Sequence, residues 1–183
     1  MKKLALVLAS ILIMLSLASC AGAGYEAPIK NYFKAIQNEN PEKMYNAIFD
    51  PFYAEYKLDE MDEDDTDELL DECKDAVKAA YDELEEEYGK NIKITYKVEN
   101  VRKFTKSDVT YLGEYLEENY DYEAKKVQDV AVLTVQSRVI GDEDNEADTA
   151  DVVVIKVSGK WYYSQIFSSL DGVKRAIRDV KWD

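Results

Sequence analysis

The chain has no histidine, two cysteines, three prolines and seven glycines in 183 residues. Each shortage excludes a chemistry. Without histidine there is no Ser-His-Asp or Cys-His catalysis and no imidazole-ligated metal within the chain. So few glycines, with Gly22 and Gly24 near the start, leave little for phosphate-cradling loops. Dinucleotide, P-loop and nucleophile-elbow motifs are missing accordingly. Positive charge is scarce as well, 23 Lys and Arg against 38 Asp and Glu, for a net charge of −15. Phosphate backbones need clustered cations, so no nucleic-acid partner is expected. Hydrophobic residues make up 46% of the chain and tyrosines number 14, so this is not a disordered acidic tail. The length suits one domain with a real core.

Only one long apolar run is present. Leu4 to Leu17, broken by Ser10 and Ser16, follows the basic pair Lys2 and Lys3. A spanning helix needs ~20 apolar residues, whereas a run this short suits the core of an export signal. It ends in Leu17-Ala18-Ser19-Cys20, then Ala21-Gly22. This resembles the lipobox of bacterial lipoproteins, in which small residues admit the signal peptidase and the cysteine thiol receives diacylglycerol. The alternative is an ordinary secretory signal that ends near a cysteine. The resemblance implies residues 1–19 as a removable signal, Cys20 as the lipidation site and residues 20–27 as a short tether. The domain, 28–183, would sit on the extracytoplasmic side of the bacterial cell membrane, its membrane partner reached through acyl chains such as palmitate. From Cys20 to Pro28 the chain reaches at most ~28 Å. A surface this acidic is not expected to lie on anionic headgroups by itself. With Cys20 modified, Cys73 would be the only remaining thiol, and an internal disulfide is excluded.

The first half of the domain has helical period. Pro28 suits a first helical position, and Ile29, Tyr32, Phe33 and Ile36 share one face. Asn40-Pro41 starts a second helix with Met44, Tyr45, Ile48 and Phe49 inward, and Asp50-Pro51 closes it. A long third helix is expected from a capping box at Asp65 and Glu68 through Leu69, Cys73, Val77, Tyr81, Leu84 and Tyr88, ending at Gly89. The second half alternates instead. Strands are expected over 91–101, 127–139, 149–157 and 160–167, with a polar turn at 141–148 and a tight Ser158-Gly159 hairpin. A helical insert (107–120) and a last helix (170–182) interrupt and follow them. The expected fold class is α+β: N-terminal helices packed on a curved antiparallel sheet, with a helical insert and a C-terminal helix.

Tyr32-Phe33-Lys34-Ala35-Ile36, running on through Asn40-Pro41, and the late Val157-Ser158-Gly159-Lys160-Trp161-Tyr162 hairpin carry a second resemblance. Together they are similar to small lipoproteins of the nuclear-transport-factor-like, or cystatin-like, cone superfamily. That resemblance implies a cone-like sheet with a cavity against the helices, and often a homodimer through the sheet. The superfamily includes isomerases, dehydratases and binding modules, so fold does not choose the function.

The candidate sites follow from residue type. Tyr96, Tyr162 and Tyr163 lie on expected strands and could give a cavity apolar walls with polar tips, making them the candidate ligand-binding residues. No Tyr–Asp pair aligns with isomerase chemistry, so no catalytic residue is assigned. Asp59 to Glu72 holds ten acids and no base. A calcium or cationic-peptide surface and a solvated loop with a helix start both account for it. Asp142, Asp144 and Glu146 have calcium-loop spacing, but Ala147 and Val153 stand where glycine and a bidentate glutamate belong. No metal and no cofactor are assigned. Cys73 lies on an apolar stripe and should be buried and inert. The functional expectation is a non-catalytic binding or interaction module of the cell envelope, for a small ligand or an envelope protein. A small isomerase- or lyase-like enzyme and a dimeric scaffold are the alternatives.

Overall fold

In the computed structural model, residues 24–181 are described. The expected signal, residues 1–19, and the expected lipidation site Cys20 lie outside the described residues. A short 3₁₀ turn, Gly24–Glu26, leads into α1 (Ala27–Gln37), α2 (Pro41–Ile48), α3 (Pro51–Met61) and α4 (Thr66–Tyr88). β1 (Lys93–Lys103), α5 (Lys106–Tyr120), a 3₁₀ turn (Ala124–Lys126), β2 (Val127–Ile140), β3 (Asn145–Val157), β4 (Lys160–Tyr163) and α6 (Leu170–Lys181) follow. The four strands form one antiparallel meander in the order β1-β2-β3-β4. The sheet is curved and unclosed, and the fold is α+β.

Helix starts follow local chemistry. Asn40 accepts a hydrogen bond from the Lys43 backbone N–H at 2.8 Å, with Pro41 behind it in the first turn. Asp50-Pro51 repeats the device. Instead of only closing α2, it opens α3, which the apolar period did not reveal because Ala54 is the single fully buried residue of that helix. Asp65 caps α4 through the Asp67 N–H, and the expected box with Glu68 does not form. A reciprocal box stands at Thr105 and Asp108 instead, fixing the start of α5.

Side chains alternate along a strand, and β2 uses both sides. Ala131, Leu133, Val135 and Val139 point one way and Val130 and Val132 the other, all buried. On the first face they meet Ile29, Phe33, Ile36, Met44, Leu69, Cys73, Val77 and Leu84 of α1, α2 and α4. On the second face they meet Leu112 and Leu116 of α5 and Val173, Ala176 and Ile177 of α6. The expected insert and tail thus pair into a second helical layer. The sheet is sandwiched over part of its length.

Two strand boundaries differ from expectation. β3 begins at Asn145, so the polar turn shortens and residues 145–151 become an exposed strand extension. β4 stops at Tyr163 because Ser164 turns the chain: its N–H reaches the Val153 carbonyl and its Oγ accepts from the Phe167 N–H. The Ser158-Gly159 hairpin forms as expected, with φ of +50° and +92°, the left-handed pair that matches strand twist.

Candidate binding groove

The three candidate tyrosines do not converge. Tyr163 stacks on Tyr32 with centroids 4.9 Å apart, and Tyr96 stacks on Phe33 at 5.4 Å. Tyr32 and Phe33 touch edge to face, so a row of rings fills the space between α1 and the first sheet face. Burial raises the Tyr32 hydroxyl to about 12 and shifts Tyr96 and Tyr163 upward, as expected for hydroxyls inside packing. Tyr162, one residue from Tyr163, points to the opposite face. Alternation separates it from the other two.

Tyr162 instead joins a groove of about 530 Å³ between α2, α3, the start of α4 and the β4 edge. Its apolar wall is Tyr45, Phe49, Ala54, Leu58 and Tyr162, and Phe49 stacks between Tyr45 and Tyr53. Glu55, Asp59, Glu63 and Asp64 line it as well. These come from the acid-rich segment and from the helix that Asp50-Pro51 starts. Lys160 is the one cation among the lining residues; its Nζ lies 4.7 Å from the Tyr162 ring centroid and donates to Asn46 Oδ1 at 3.3 Å. Desolvation draws its ammonium below the ordinary lysine value. The combination is an aromatic floor with four carboxylates against one cation.

Behind this groove lies a buried acid. Asp50 is 2% exposed. Its Oδ1 accepts from the Phe52 and Tyr53 N–H groups at 3.0 and 3.1 Å, and its Oδ2 accepts from the Tyr122 hydroxyl at 2.6 Å. Burial raises the Asp50 carboxyl, partly offset by these bonds, and raises Tyr122 as well. Asp50 is not among the lining residues of the groove. Both its oxygens are engaged in capping α3 and fastening the segment before β2, a use of this Asp–Tyr pair that spacing could not reveal.

The remaining acids are placed plainly. Glu60 accepts from Lys57 Nζ and the Tyr56 hydroxyl, and Asp71 pairs with Lys74. Asp142 accepts from the Lys90 N–H, and Glu146 accepts from the Tyr88 hydroxyl at 2.7 Å. The calcium-like spacing thus serves to fasten the β2–β3 turn to the end of α4. Among the described residues no three carboxylates or thiols are grouped to hold a metal. Cys73 is 2% exposed, and burial, then Glu72, pushes its thiol up to about 12. No helix among the described residues is long and apolar enough to cross a membrane.

No protein-family model, curated protein or solved structure matches this chain.

Proposed function

We propose that this chain is an extracytoplasmic lipoprotein, held on the bacterial cell membrane through Cys20, whose domain is a non-catalytic binding module. The observation that carries the reading is the groove beside β4. It offers aromatic surface to an apolar body and an acidic lining to a positive charge. The ligand class this fits is a Lys- or Arg-containing peptide segment of an envelope protein. The enzyme alternative calls for a buried acid of raised pKa that opens into the groove, whereas Asp50, the buried acid among the described residues, is turned to the α3 backbone and Tyr122.

Residues from Ala21 onward contain every described element, so a fragment starting there can be titrated with an alternating Lys-Phe peptide and with its Glu-Phe counterpart. The Lys peptide is expected to bind in a salt-sensitive way. Neutralising Glu55, Asp59, Glu63 and Asp64 as amides should weaken it at least about tenfold. Equal affinity for both peptides, or undiminished binding by the amide variant, would refute the groove as the site. The anchor is tested apart from it: labelled palmitate should enter the full chain and be absent from Cys20→Ala.

A further inference from the structure

Along β2 the sheet face that meets α5 and α6 changes character halfway. Val130 and Val132 are buried with those helices, and the next positions on the same side are Thr134, Gln136 and Arg138. The register carries the change across the sheet. On β1, Thr95 and Lys97 stand opposite Arg138 and Gln136; on β3, Ala147, Thr149 and Asp151 complete the rows. Lys97 and the three β3 residues are exposed, so the second helical layer stops short of this half of the face. The reverse side, with Val135 and Val139, belongs to the core. A rigid, packed sheet thus holds a polar surface open to solvent.

Neighbouring polar groups on this surface pair with one another. Thr134 Oγ1 donates to Asp151 Oδ1 at 2.9 Å, and Lys97 Nζ lies 3.2 Å from Glu99 Oε1. Arg138 and Thr95 are the exception. The Arg138 Nε and the Thr95 Oγ1 are buried without a hydrogen-bond partner, the two such side-chain atoms among the described residues. Because these residues are cross-strand partners, an N–H and an O–H stand unanswered side by side. Buried donors left unpaired are costly, and packing ordinarily supplies them with acceptors. Arg138 and Lys93 make no ion pair among the described residues. Around Arg138, Lys93 and Lys97 flank it on β1 and Asn145 and Thr149 on β3, and no position next to it on the face is acidic. The nearest turn acids, Glu143 and Asp144, lie beyond Asn145, and Asp144 Oδ1 accepts from the Asn145 N–H at 2.7 Å.

We infer that Arg138 and Thr95 form a carboxylate-binding site on the open half of this sheet face. A carboxylate is planar, and its two oxygens match one edge of a guanidinium. One oxygen takes the Nε–H, the other takes the adjacent Nη–H, and the Thr95 hydroxyl donates to the first. Both unpaired donors are thereby satisfied by a single group. Since Nε and Oγ1 are buried, the ligand engages them through a turn of the Arg138 side chain, which its half-buried place at the open face permits. A monoanion suits the site better than a dianion such as phosphate, because the chain carries a net charge of −15 and only Lys93 stands beside Arg138 as a second unpaired cation. The site lies on other elements than the β4 groove and depends on neither that groove nor Cys20.

The test follows the Arg138 Nε–H directly by proton–nitrogen NMR on the full chain. The sequence has four arginines, and Arg138→Lys assigns the signal by its loss. Sodium acetate should shift this signal saturably, whereas sodium chloride at equal ionic strength should not. In Arg138→Lys the acetate-dependent shift of the Thr95 backbone amide should disappear. A Gly-Glu-Gly peptide with blocked ends that shifts the same signal extends the site to acidic side chains, and a response to acetate alone restricts it to small acids. Thr95→Val should weaken acetate binding at least about threefold, and Thr95→Ser should restore it. The Val variant should also unfold at the same or a higher denaturant concentration, because the hydroxyl it loses has no partner in the fold. Phosphate that binds where acetate does not, a linear drift shared with chloride, or acetate affinity untouched by Thr95→Val overturns the site.

Discussion

The two faces of the sheet are filled by different means. The first is covered by α1, α2 and α4, which precede the sheet in the chain, and its packing is rich in rings: Tyr32, Phe33, Tyr45, Phe49, Tyr96 and Tyr163. The second is covered by α5 and α6, which are separated in sequence by three strands, and there Leu112, Leu116, Val130, Val132, Val153 and Ile155 pack with the buried rings of Tyr122, Tyr162 and Phe167. α3 lies between them, with Tyr53 packed against both sets and the Asp50–Tyr122 bond joining them. A helical layer can thus be assembled from one continuous segment or from two distant ones. Only the former is visible as a run in the sequence.

The strongest way to break this comparison is to empty each face in turn. Leu69 and Leu112 are both fully buried, and truncating either to Ala should cost about 2–5 kcal/mol. If the faces fold as one unit, both variants expose Cys73 to alkylation in step with loss of helix signal. If Leu112→Ala melts helix while Cys73 remains protected, the second layer is separable and the faces are independent.

Cutting the link should cost less. Asp50→Ala removes the α3 cap and leaves the Tyr122 hydroxyl without its acceptor, an expected loss of about 2–3 kcal/mol in denaturant titration. Tyr122→Phe spares the cap and should lose about 1–2 kcal/mol. A Tyr122→Phe penalty as large as that of Asp50→Ala would mean that the inter-layer bond, not the cap, dominates.

The pH dependence sharpens the same point. Burial raises the Asp50 carboxyl above its unfolded value of 3.8. The folded state therefore holds that proton more tightly, and the stability it contributes is full below 3.8 and lost as pH rises through the folded value. Asp50→Asn cannot titrate, so its penalty relative to the parent chain should be greatest in acid and shrink toward neutrality. A penalty that grows with pH would reverse the sign assigned here. Tyrosine acts at the other extreme. Tyr32 is raised to about 12 and Tyr96, Tyr162 and Tyr163 are raised, so stability should fall as pH climbs past 10.0, with tyrosinate absorbance lagging that of the unfolded chain.

Much of the fold was legible where hydrogen bonds are local. Asn40-Pro41 set the start of α2, and Ser158-Gly159 set the last hairpin within a few residues. The stripe Leu69, Cys73, Val77 and Leu84 was read correctly as the buried side of α4. α3 was missed because its half-buried residues Phe52, Tyr53, Tyr56 and Leu58 give no clean stripe. The candidate site was legible in one residue only, Tyr162. Tyr96 and Tyr163 are strand tyrosines by the same criteria, and only the face each takes separates them from it. The acid-rich segment was visible, but its three groove-lining carboxylates, Asp59, Glu63 and Asp64, could not be told from their neighbours such as Glu60 and Asp71, which pair with lysines.

By itself the sequence determined the chemical inventory, the local caps and turns, and the α+β class, because these depend on residue types and on contacts within a few positions. Tertiary structure decided that insert and tail become one layer, that Asp50 meets a tyrosine 72 residues away, and that Tyr25, Trp161 and Lys103 share one end of the sheet. Those outcomes depend on which surfaces meet when apolar faces are buried together, a property of the assembled core that no window of sequence contains.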